Sequence, residues 1–263
     1  NRNIRYSGNV LGTTYIDLLG GIVKYDLYAA GTSGSVKDSL GVKNGFIASS
    51  TAYIEGGTAR NVYGGGWEGS VGQHIGNITT SFTDDIDGET HVIIGKLNGT
   101  SFVDGIPAIE RNAYGGGEGG AVFGTANITL NKGYIGYRYF TSEPADASTY
   151  PVIAEGGGFY QEKIDDETNA NERNTLNRSG SIYGGGYIDN SSVDVTNVKM
   201  YAGHVRNSLF GGGEIAAIGR GVIQASGEDN SIRELQGIYR AGKTHVTLYG
   251  GHVHRNVFGG GIS

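Results

Sequence analysis

Hydrophobic and polar side chains alternate over short stretches of this chain, and glycines end each stretch. Segment 244–261 reads THVTLYGGHVHRNVFGGG. Successive side chains of a strand point to opposite faces, so this pattern predicts Val246 and Leu248 inside and Thr247 and Tyr249 outside. Each such unit predicts a short strand, a glycine turn, a second short strand and a glycine triplet.

Segment 196–213, TNVKMYAGHVRNSLFGGG, aligns with 244–261 without a gap. It predicts Val198 and Met200 as buried, with Lys199 and Tyr201 facing outward. The turns fall at Gly203 and Gly251, where a positive φ or a close approach leaves no room for a Cβ.

Six glycine triplets recur along the chain. They begin at Gly64, Gly115, Gly156, Gly184, Gly211 and Gly259. In five of them an aromatic residue directly precedes the triplet: Tyr63, Tyr114, Tyr183, Phe210 and Phe258. Two positions before each aromatic stands an Asn or a Ser: Asn61, Asn112, Ser181, Ser208 and Asn256. Agreement at several positions indicates an internal repeat.

The repeat unit predicts stacked coils. Segment 51–66 follows the same plan one residue shorter, 13–31 reads as a decayed copy, and 126–140 reads as a copy that has lost its triplet. The triplets are 51 residues apart at one extreme and 27 at the other, which counts against a propeller and favours a solenoid with loops of variable length. The polar segments 84–90, 142–151 and 165–179 are expected as loops projecting from one side.

The triplets imply a steric demand, because three consecutive glycines lose much backbone entropy on folding. We expect the chain there to pack against the aromatic row or to adopt dihedral angles closed to other residues. The Asn and Ser positions suit a corner, since Asn tolerates the left-handed region and bonds neighbouring backbone. Stacked coils would align these side chains in a ladder.

Composition agrees with an all-β fold and narrows the function. The 263 residues include 49 Gly and 3 Pro, while Ile and Val far outnumber Leu; β-branched and aromatic residues favour strands. A net charge of −6 without a basic stripe argues against nucleic-acid binding. No apolar run is long enough for a membrane helix, and the absence of Cys excludes disulfides and thiolate metal sites. We expect residues 1–263 to form one β-solenoid domain, a fragment of a longer repeat protein.

The triplet units resemble the parallel β-helix, or β-solenoid, proteins of bacterial surfaces, including adhesins and the large exported repeat proteins of Bacteroidetes-type bacteria. The residues that carry the resemblance are 61–66, 112–117, 181–186, 208–213 and 256–261. The resemblance implies a parallel β-helix, export to the cell surface, and adhesion within a stalk or fibre.

Two clusters suggest metal chemistry. His204 and His252 share a repeat position, and His254 lies two residues on, so paired imidazoles on adjacent coils could bind a metal; repeat ancestry explains the pair equally. Segment 83–91 contains Asp85, Asp87, Gly88 and Glu89. These residues match part of a calcium-binding loop, but the remaining ligands of such a loop are missing from the segment. A loop calcium site and a solvated hairpin loop both stay open.

Two further rows suggest carbohydrate chemistry. Glu68, Glu118 and Glu214 follow triplets and would form an acidic row, and paired carboxylates can hydrolyse glycosides. Trp67, Phe159 and Tyr187 also follow triplets and could stack on sugars. The aromatic row before the triplets reads as structural cover for the glycines, whereas Trp67 stays open between the two roles.

The sequence thus favours a non-catalytic structural and adhesive domain of an extracellular bacterial surface protein. No residue is assigned as catalytic, cofactor-binding or metal-binding, and no cofactor is expected. Expected partners are neighbouring repeats of the same parent chain and a glycan or protein on a host or other surface. The alternatives are a carbohydrate-binding module or a β-helix polysaccharide lyase or glycosidase, with an ice-binding solenoid disfavoured by the scattered Thr residues.

Overall fold

The backbone is a parallel β-helix, as predicted, and each coil has three faces. The structure is a computed structural model that describes residues 8–37, 47–73, 86–96, 106–139, 159–160, 179–221 and 239–262. Six coils follow one another and span residues 13–31, 48–66, 88–117, 122–186, 193–213 and 243–261, which we number coils 1 to 6.

Each coil contributes one strand to each of three parallel sheets. The first sheet holds the long strands β2 (Thr13–Leu18), β6 (Ala48–Ile54), β9 (Gly88–Ile94), β12 (Val122–Leu130), β17 (Val193–Met200) and β22 (Lys243–Leu248). The second holds β3 (Ile22–Val23), β7 (Thr58–Ala59), β10 (Ala108–Ile109), β13 (Tyr134–Ile135), β18 (His204–Val205) and β23 (His252–Val253). The third holds β4 (Leu27–Tyr28), β8 (Val62–Tyr63), β11 (Ala113–Tyr114), β16 (Ile182–Tyr183), β19 (Leu209–Phe210) and β24 (Val257–Phe258).

The remaining strands pair outside these sheets. β1 (Val10–Leu11) and β5 (Val36–Lys37) are parallel, whereas β14 (Arg138–Tyr139) pairs with β15 (Phe159–Tyr160), and β20 (Gly219–Gly221) with β21 (Tyr239–Ala241), both antiparallel. A column of aliphatic residues follows the glycine corners. Parallel β-bridges join Val36 to Val71, Val71 to Val122, and Val193 to Ile218. This column forms a second apolar cluster beside the main core.

Inward-facing residues of the long strands form the main core. Ile54, Ile94, Leu130 and Met200 are in register on successive coils and fully buried. Val198 is also buried, while Lys199 is exposed and Tyr201 half-buried, so the predicted alternation holds in coil 5. In coil 6, Leu248 is in register with Met200 but 46% exposed, because no described residues cover the end of the stack.

The glycine triplets pack directly on one another, which corrects the two expected reasons for them. None of the described triplet glycines has a positive φ. A Cβ on Gly64 would lie 2.3 Å from the carbonyl oxygen of Gly115, and one on Gly116 would lie 2.8 Å from the nitrogen of Gly186. Glycine is needed because the backbone of the next coil, rather than the aromatic row, occupies the space of a side chain. The turn glycines behave as expected, with φ of 95° at Gly203 and 93° at Gly251.

A column of buried hydroxyl groups crosses the interior to the triplets. Ser50 donates to the carbonyl oxygen of Gly64 at 2.5 Å, Thr90 to that of Gly115 at 2.6 Å, and Thr196 to that of Gly211 at 2.5 Å. Buried polar groups need such partners. Each coil that has this hydroxyl therefore ties its long strand to its own glycine corner.

Segment 126–140 has not lost its triplet, contrary to expectation. It supplies the first two strands of coil 4. The third strand, β16, comes at 182–183 and is followed by the triplet at Gly184. The long segment between them separates the two parts of one coil. The triplet at Gly156 and most of segments 142–151 and 165–179 lie outside the described residues.

The longer connections between described strands fall at more than one corner of the coil, which differs from the expected single side. Three interruptions follow a triplet region, after residues 37, 73 and 221. Another separates β9 from β10, and the longest separates β13 from β16. Insertions therefore occur at each of the three corners of a coil.

Candidate functional site

The aromatic residues before the triplets form a continuous stack along the third sheet. Successive ring centroids lie 4.6 to 5.1 Å apart and the rings are within 11° of parallel. The stack comprises Tyr28, Tyr63, Tyr114, Tyr183, Phe210 and Phe258. Their faces are covered by one another, and the four central rings are at most 7% exposed. The row is structural, and only the ring edges with their hydroxyl groups are left for other contacts.

A polar cavity of about 400 Å³ lies beside this aromatic stack, and we name it the corner groove. It is lined by Asp26, Arg60, Asn61, Tyr63, Arg111, Asn112, Tyr114, Glu118, Ser179, Tyr187 and Glu214. These residues come from coils 1 to 4 and from the positions that directly follow the triplets of coils 3 to 5. The groove therefore crosses the coils and runs along the stack.

One wall is the corner between the second and third sheets, and Asp26 anchors it. Arg60 donates to both carboxylate oxygens of Asp26, from Nε at 2.8 Å and from Nη2 at 2.6 Å. Asn61 donates to the same carboxylate at 2.9 Å. The hydrogen bond to Asp26 raises the pKa of Arg60. The charge of Asp26 is thus matched by that of Arg60 inside the wall.

The predicted Asn and Ser ladder continues this wall. The amide oxygen of Asn61 accepts the backbone N–H of Asn112 at 3.0 Å, and that of Asn112 accepts the N–H of Ser181 at 3.0 Å. Ser208 accepts the N–H of Asn256 at 3.3 Å. Non-glycine residues with a positive φ are absent from the described part of the chain, so these positions serve as backbone acceptors and not as left-handed corners.

Arg111 stands next to the Arg60 pair on the same wall. Its backbone N–H donates to the carbonyl oxygen of Arg60 at 2.8 Å, which places the two residues on neighbouring coils. Its half-buried side chain lines the groove and makes no ion pair or hydrogen bond with another described residue. The wall therefore presents a guanidinium group to the groove.

The opposite wall carries two carboxylates. Glu118 accepts a hydrogen bond from the hydroxyl of Tyr28, and Glu214, which is 4% exposed, accepts one from the hydroxyl of Tyr114 at 2.5 Å. Burial, followed by the charge of Glu214, raises the pKa of Tyr114 well above its usual value. Burial likewise raises the pKa of Tyr28 and Tyr63. The phenols of Tyr28 and Tyr114 stay protonated and donate to Glu118 and Glu214.

The predicted acidic row is not continuous. The backbone N–H of Tyr187 donates to Gly117 and that of Glu214 to Gly186, so Tyr187 on coil 4 stands between Glu118 on coil 3 and Glu214 on coil 5. Glu68 is exposed and accepts a hydrogen bond from Ser33 at 3.3 Å. The N–H of Gly119 donates to Trp67, which places Glu68 one residue out of this register.

The post-triplet aromatics have separate environments. Trp67 is 50% exposed. Tyr187 lines the groove and contacts Tyr114 with ring centroids 5.7 Å apart. Phe159 belongs to the short antiparallel pair β14–β15 instead of a coil. The three residues therefore do not form one row.

The histidines stack instead of converging. The rings of Tyr134, His204 and His252 follow one another with centroids 5.0 Å apart, and those of His204 and His252 are within 13° of parallel. Nε2 of His254 lies 3.2 Å from the hydroxyl of Tyr137. Parallel rings direct their nitrogens side by side, and no group of three or more His, Asp or Glu in the described residues is arranged to hold a metal ion.

The calcium-like segment is partly strand. Gly88 and Glu89 begin the long strand β9, and Glu89 accepts a hydrogen bond from Asn127 on the next coil at 3.1 Å. The backbone carbonyl of Asp87 accepts the N–H of Ala48. Asp85 lies outside the described residues. Because Gly88 and Glu89 belong to β9, the expectation of a single loop through 83–91 is wrong.

Sequence reasoning missed the charged wall of the groove, although a signal was present. The lead-ins RNVYGGG, RNAYGGG and RNVFGGG place Arg60, Arg111 and Arg255 at one repeat position. The sequence pattern was interpreted only at the Asn that follows each of these arginines. The pairing of Glu118 and Glu214 with tyrosines two coils away has no sequence signal, because it depends on how far each side chain reaches along the stack.

Comparison with protein-family models, curated proteins and solved structures finds no match to this chain. In the part of the chain that the structure describes, no helix has the length and apolar character that crossing a membrane requires.

Proposed function

We propose that this chain is a non-catalytic structural and adhesive repeat domain of an extracellular bacterial surface protein. The observation that carries the proposal is the continuity of side-chain and backbone ladders through all six coils. The aromatic stack and the paired strands of the three sheets run through all six coils, and the triplets of coils 2 to 6 contact one another. Such nearest-neighbour stacking makes a stiff rod suited to a stalk.

The end of the stack supports neighbouring repeats of the same parent chain as partners. Coil 6 leaves Leu248, Val257 and Phe258 43–46% exposed, although their counterparts Met200, Leu209 and Phe210 on coil 5 are buried. A surface that matches the covered face of another coil residue by residue fits one more coil of the same type. A further repeat would bury these side chains and pair the open strand edges.

The corner groove favours a second candidate, a carbohydrate-binding module or a carbohydrate-active enzyme. Paired carboxylates are the usual machinery of glycoside hydrolysis, and the groove contains Glu118 and Glu214. Both accept hydrogen bonds from tyrosines, and Tyr187 separates them. This arrangement fits binding better than a catalytic pair.

The test compares the parent protein with a deletion of residues 13–261 on its own cells. We expect the deletion to reduce attachment to surfaces while export of the remaining protein continues. Unchanged attachment would overturn the adhesive role. A reducing-end assay on neutral and acidic polysaccharides tests the alternative: turnover by the intact domain that Glu214→Gln abolishes would establish an enzyme.

A further inference from the structure

We propose that the corner groove binds a neutral oligosaccharide lying along the stack of coils. This inference deepens the adhesive function proposed above and rests on it. The cavity of about 400 Å³ falls within the usual range of small-molecule sites, about 300–1,000 Å³. Its lining is polar side chains from four successive coils and from the positions after three triplets, which suits a long ligand with many hydroxyl groups.

The charges of the groove select against charged ligands. Asp26 and Arg60 neutralise each other within one wall. Arg111 on that wall then faces the groove together with Glu118 and Glu214 on the other. An anionic chain would meet the carboxylate of Glu118, and a cationic chain would meet the guanidinium of Arg111. A neutral sugar satisfies both walls, because each hydroxyl group both donates and accepts hydrogen bonds.

The geometry of the donors and acceptors matches neighbouring hydroxyl groups of a sugar ring. The planar guanidinium of Arg111 offers parallel donors to two oxygens. The hydroxyl of Tyr28 donates to one oxygen of Glu118. Among the described residues no side chain donates to the second oxygen, which can therefore accept from a ligand. The two groups would hold a ring from opposite sides of the groove.

The aromatic stack offers the groove no flat platform. The faces of Tyr63 and Tyr114 are covered by their stacked neighbours at 4.6–5.1 Å. A nucleobase or an aromatic peptide side chain would meet ring edges and hydroxyl groups instead. Adjacent coils are about 4.8 Å apart, a rise comparable with the length of one pyranose ring, so successive sugars would lie beside successive coils.

The test is isothermal titration of the 263-residue chain with defined hexasaccharides. The probes are cellohexaose, xylohexaose, mannohexaose and maltohexaose, with hexagalacturonate as the acidic arm. We expect saturable binding of at least one neutral hexaose and weaker binding of hexagalacturonate. Arg111→Gln should weaken the affinity about tenfold or more, since it removes hydrogen bonds from a charged donor.

Arg255→Gln is the matched control, because Arg255 has the same repeat position on coil 6 but does not line the groove. It should leave the affinity within about twofold. Glu118→Gln, which keeps an oxygen to accept from Tyr28, is a second variant of the opposite wall and should weaken binding as well. Circular dichroism and thermal midpoints verify that each variant is folded.

The outcomes separate this inference from the function on which it rests. Absence of neutral hexaose binding, equal effects of the Arg111 and Arg255 variants, or preference for hexagalacturonate would overturn the groove assignment. The adhesive role would then stand or fall with the deletion experiment alone. Cleavage of a bound hexaose would instead overturn the non-catalytic function while supporting the groove as the sugar site.

Discussion

The hydroxyl of Tyr114 donates to the carboxylate of Glu214 at 2.5 Å, which joins two residues 100 positions apart in the sequence and two coils apart in the stack. Glu118 and Tyr28 repeat this relationship two coils earlier. Each of these glutamates thus reaches past an intervening coil to the edge of the aromatic stack. The bonds couple non-adjacent coils, which backbone pairing alone does not do.

Removing one of these hydroxyl groups tests the coupling. Tyr114→Phe takes the donor from Glu214, which is buried, and we expect a loss of about 1–3 kcal/mol in the free energy of unfolding. Tyr63→Phe is the control, because Tyr63 has the same stacked surroundings and no side-chain hydrogen bond to another described residue. Urea unfolding of both variants measures the difference, and equal losses would contradict a specific role of the Tyr114–Glu214 bond.

The triplet packing predicts opposite results for two equivalent glycines. Gly116→Ala would place a Cβ 2.8 Å from the backbone of Gly186, whereas a Cβ on Gly260 meets nothing within 4 Å. We expect Gly116→Ala to destabilise the domain by about 1–3 kcal/mol or more. Gly260→Ala should be neutral or slightly stabilising, because it restricts the unfolded chain. Similar midpoints of thermal unfolding for the two variants would refute the steric explanation.

Buried phenols predict a loss of stability at high pH. Burial raises the pKa of Tyr137 to about 12 from an ordinary value of about 10, and the pKa of Tyr114 is also raised. The unfolded chain releases these protons at lower pH than the folded chain. The protonated phenols therefore contribute fully to the free energy of unfolding below pH 10, and this contribution declines as the pH rises through about 12.

Urea midpoints measured between pH 8 and pH 12 test this pH dependence. The midpoint should fall above pH 10, and Tyr137→Phe should flatten part of the fall, since Phe does not titrate. A midpoint that stays constant up to pH 12 would show that the buried phenols ionise as readily in the folded chain as in the unfolded one.

A buried ion pair predicts a large effect from a single substitution. Arg220 donates to both oxygens of Asp194 at 2.6 and 2.7 Å, and both side chains are at most 9% exposed. Arg220→Met would leave Asp194 buried without this partner, which should cost about 3–5 kcal/mol. Lys96→Met removes the more exposed pair with Glu55 and should lower the free energy of unfolding far less, because water screens an exposed ion pair. Equal unfolding free energies for the two variants would argue against a structural role for the Asp194 pair.

The sequence predicted the architecture because its signals are local and repeated. Alternation identified Val198 and Met200 as core residues, and the Asn ladder followed from equivalent positions such as Asn61 and Asn112. Aromatic residues before five of the six triplets predicted a structural row that covers the glycines, and in the structure the rings of Tyr63 and Tyr114 stack on each other.

The contents of the site were harder to predict because they depend on distance and direction between coils. The hydrogen bonds of Glu118 and Glu214 with tyrosines two coils away depend on side-chain conformation, which the repeat alignment does not contain. The parallel stacking of His204 and His252 follows from their equivalent positions, but this also prevents the convergence that a metal requires. Equivalent positions in a solenoid produce parallel rows more readily than converging sites.

The interruption of coil 4 makes this stack a natural host for grafted sequences. A Cβ on Gly136 would lie 2.5 Å from the Cα of Gly180, so the chain leaves and re-enters the coil at adjacent points. Loop-closure entropy grows slowly with length, by about 0.6 kcal/mol for each doubling. A foreign domain or epitope whose termini are close together could therefore replace the segment between these glycines, and a rigid scaffold would then display it at a defined height along its axis.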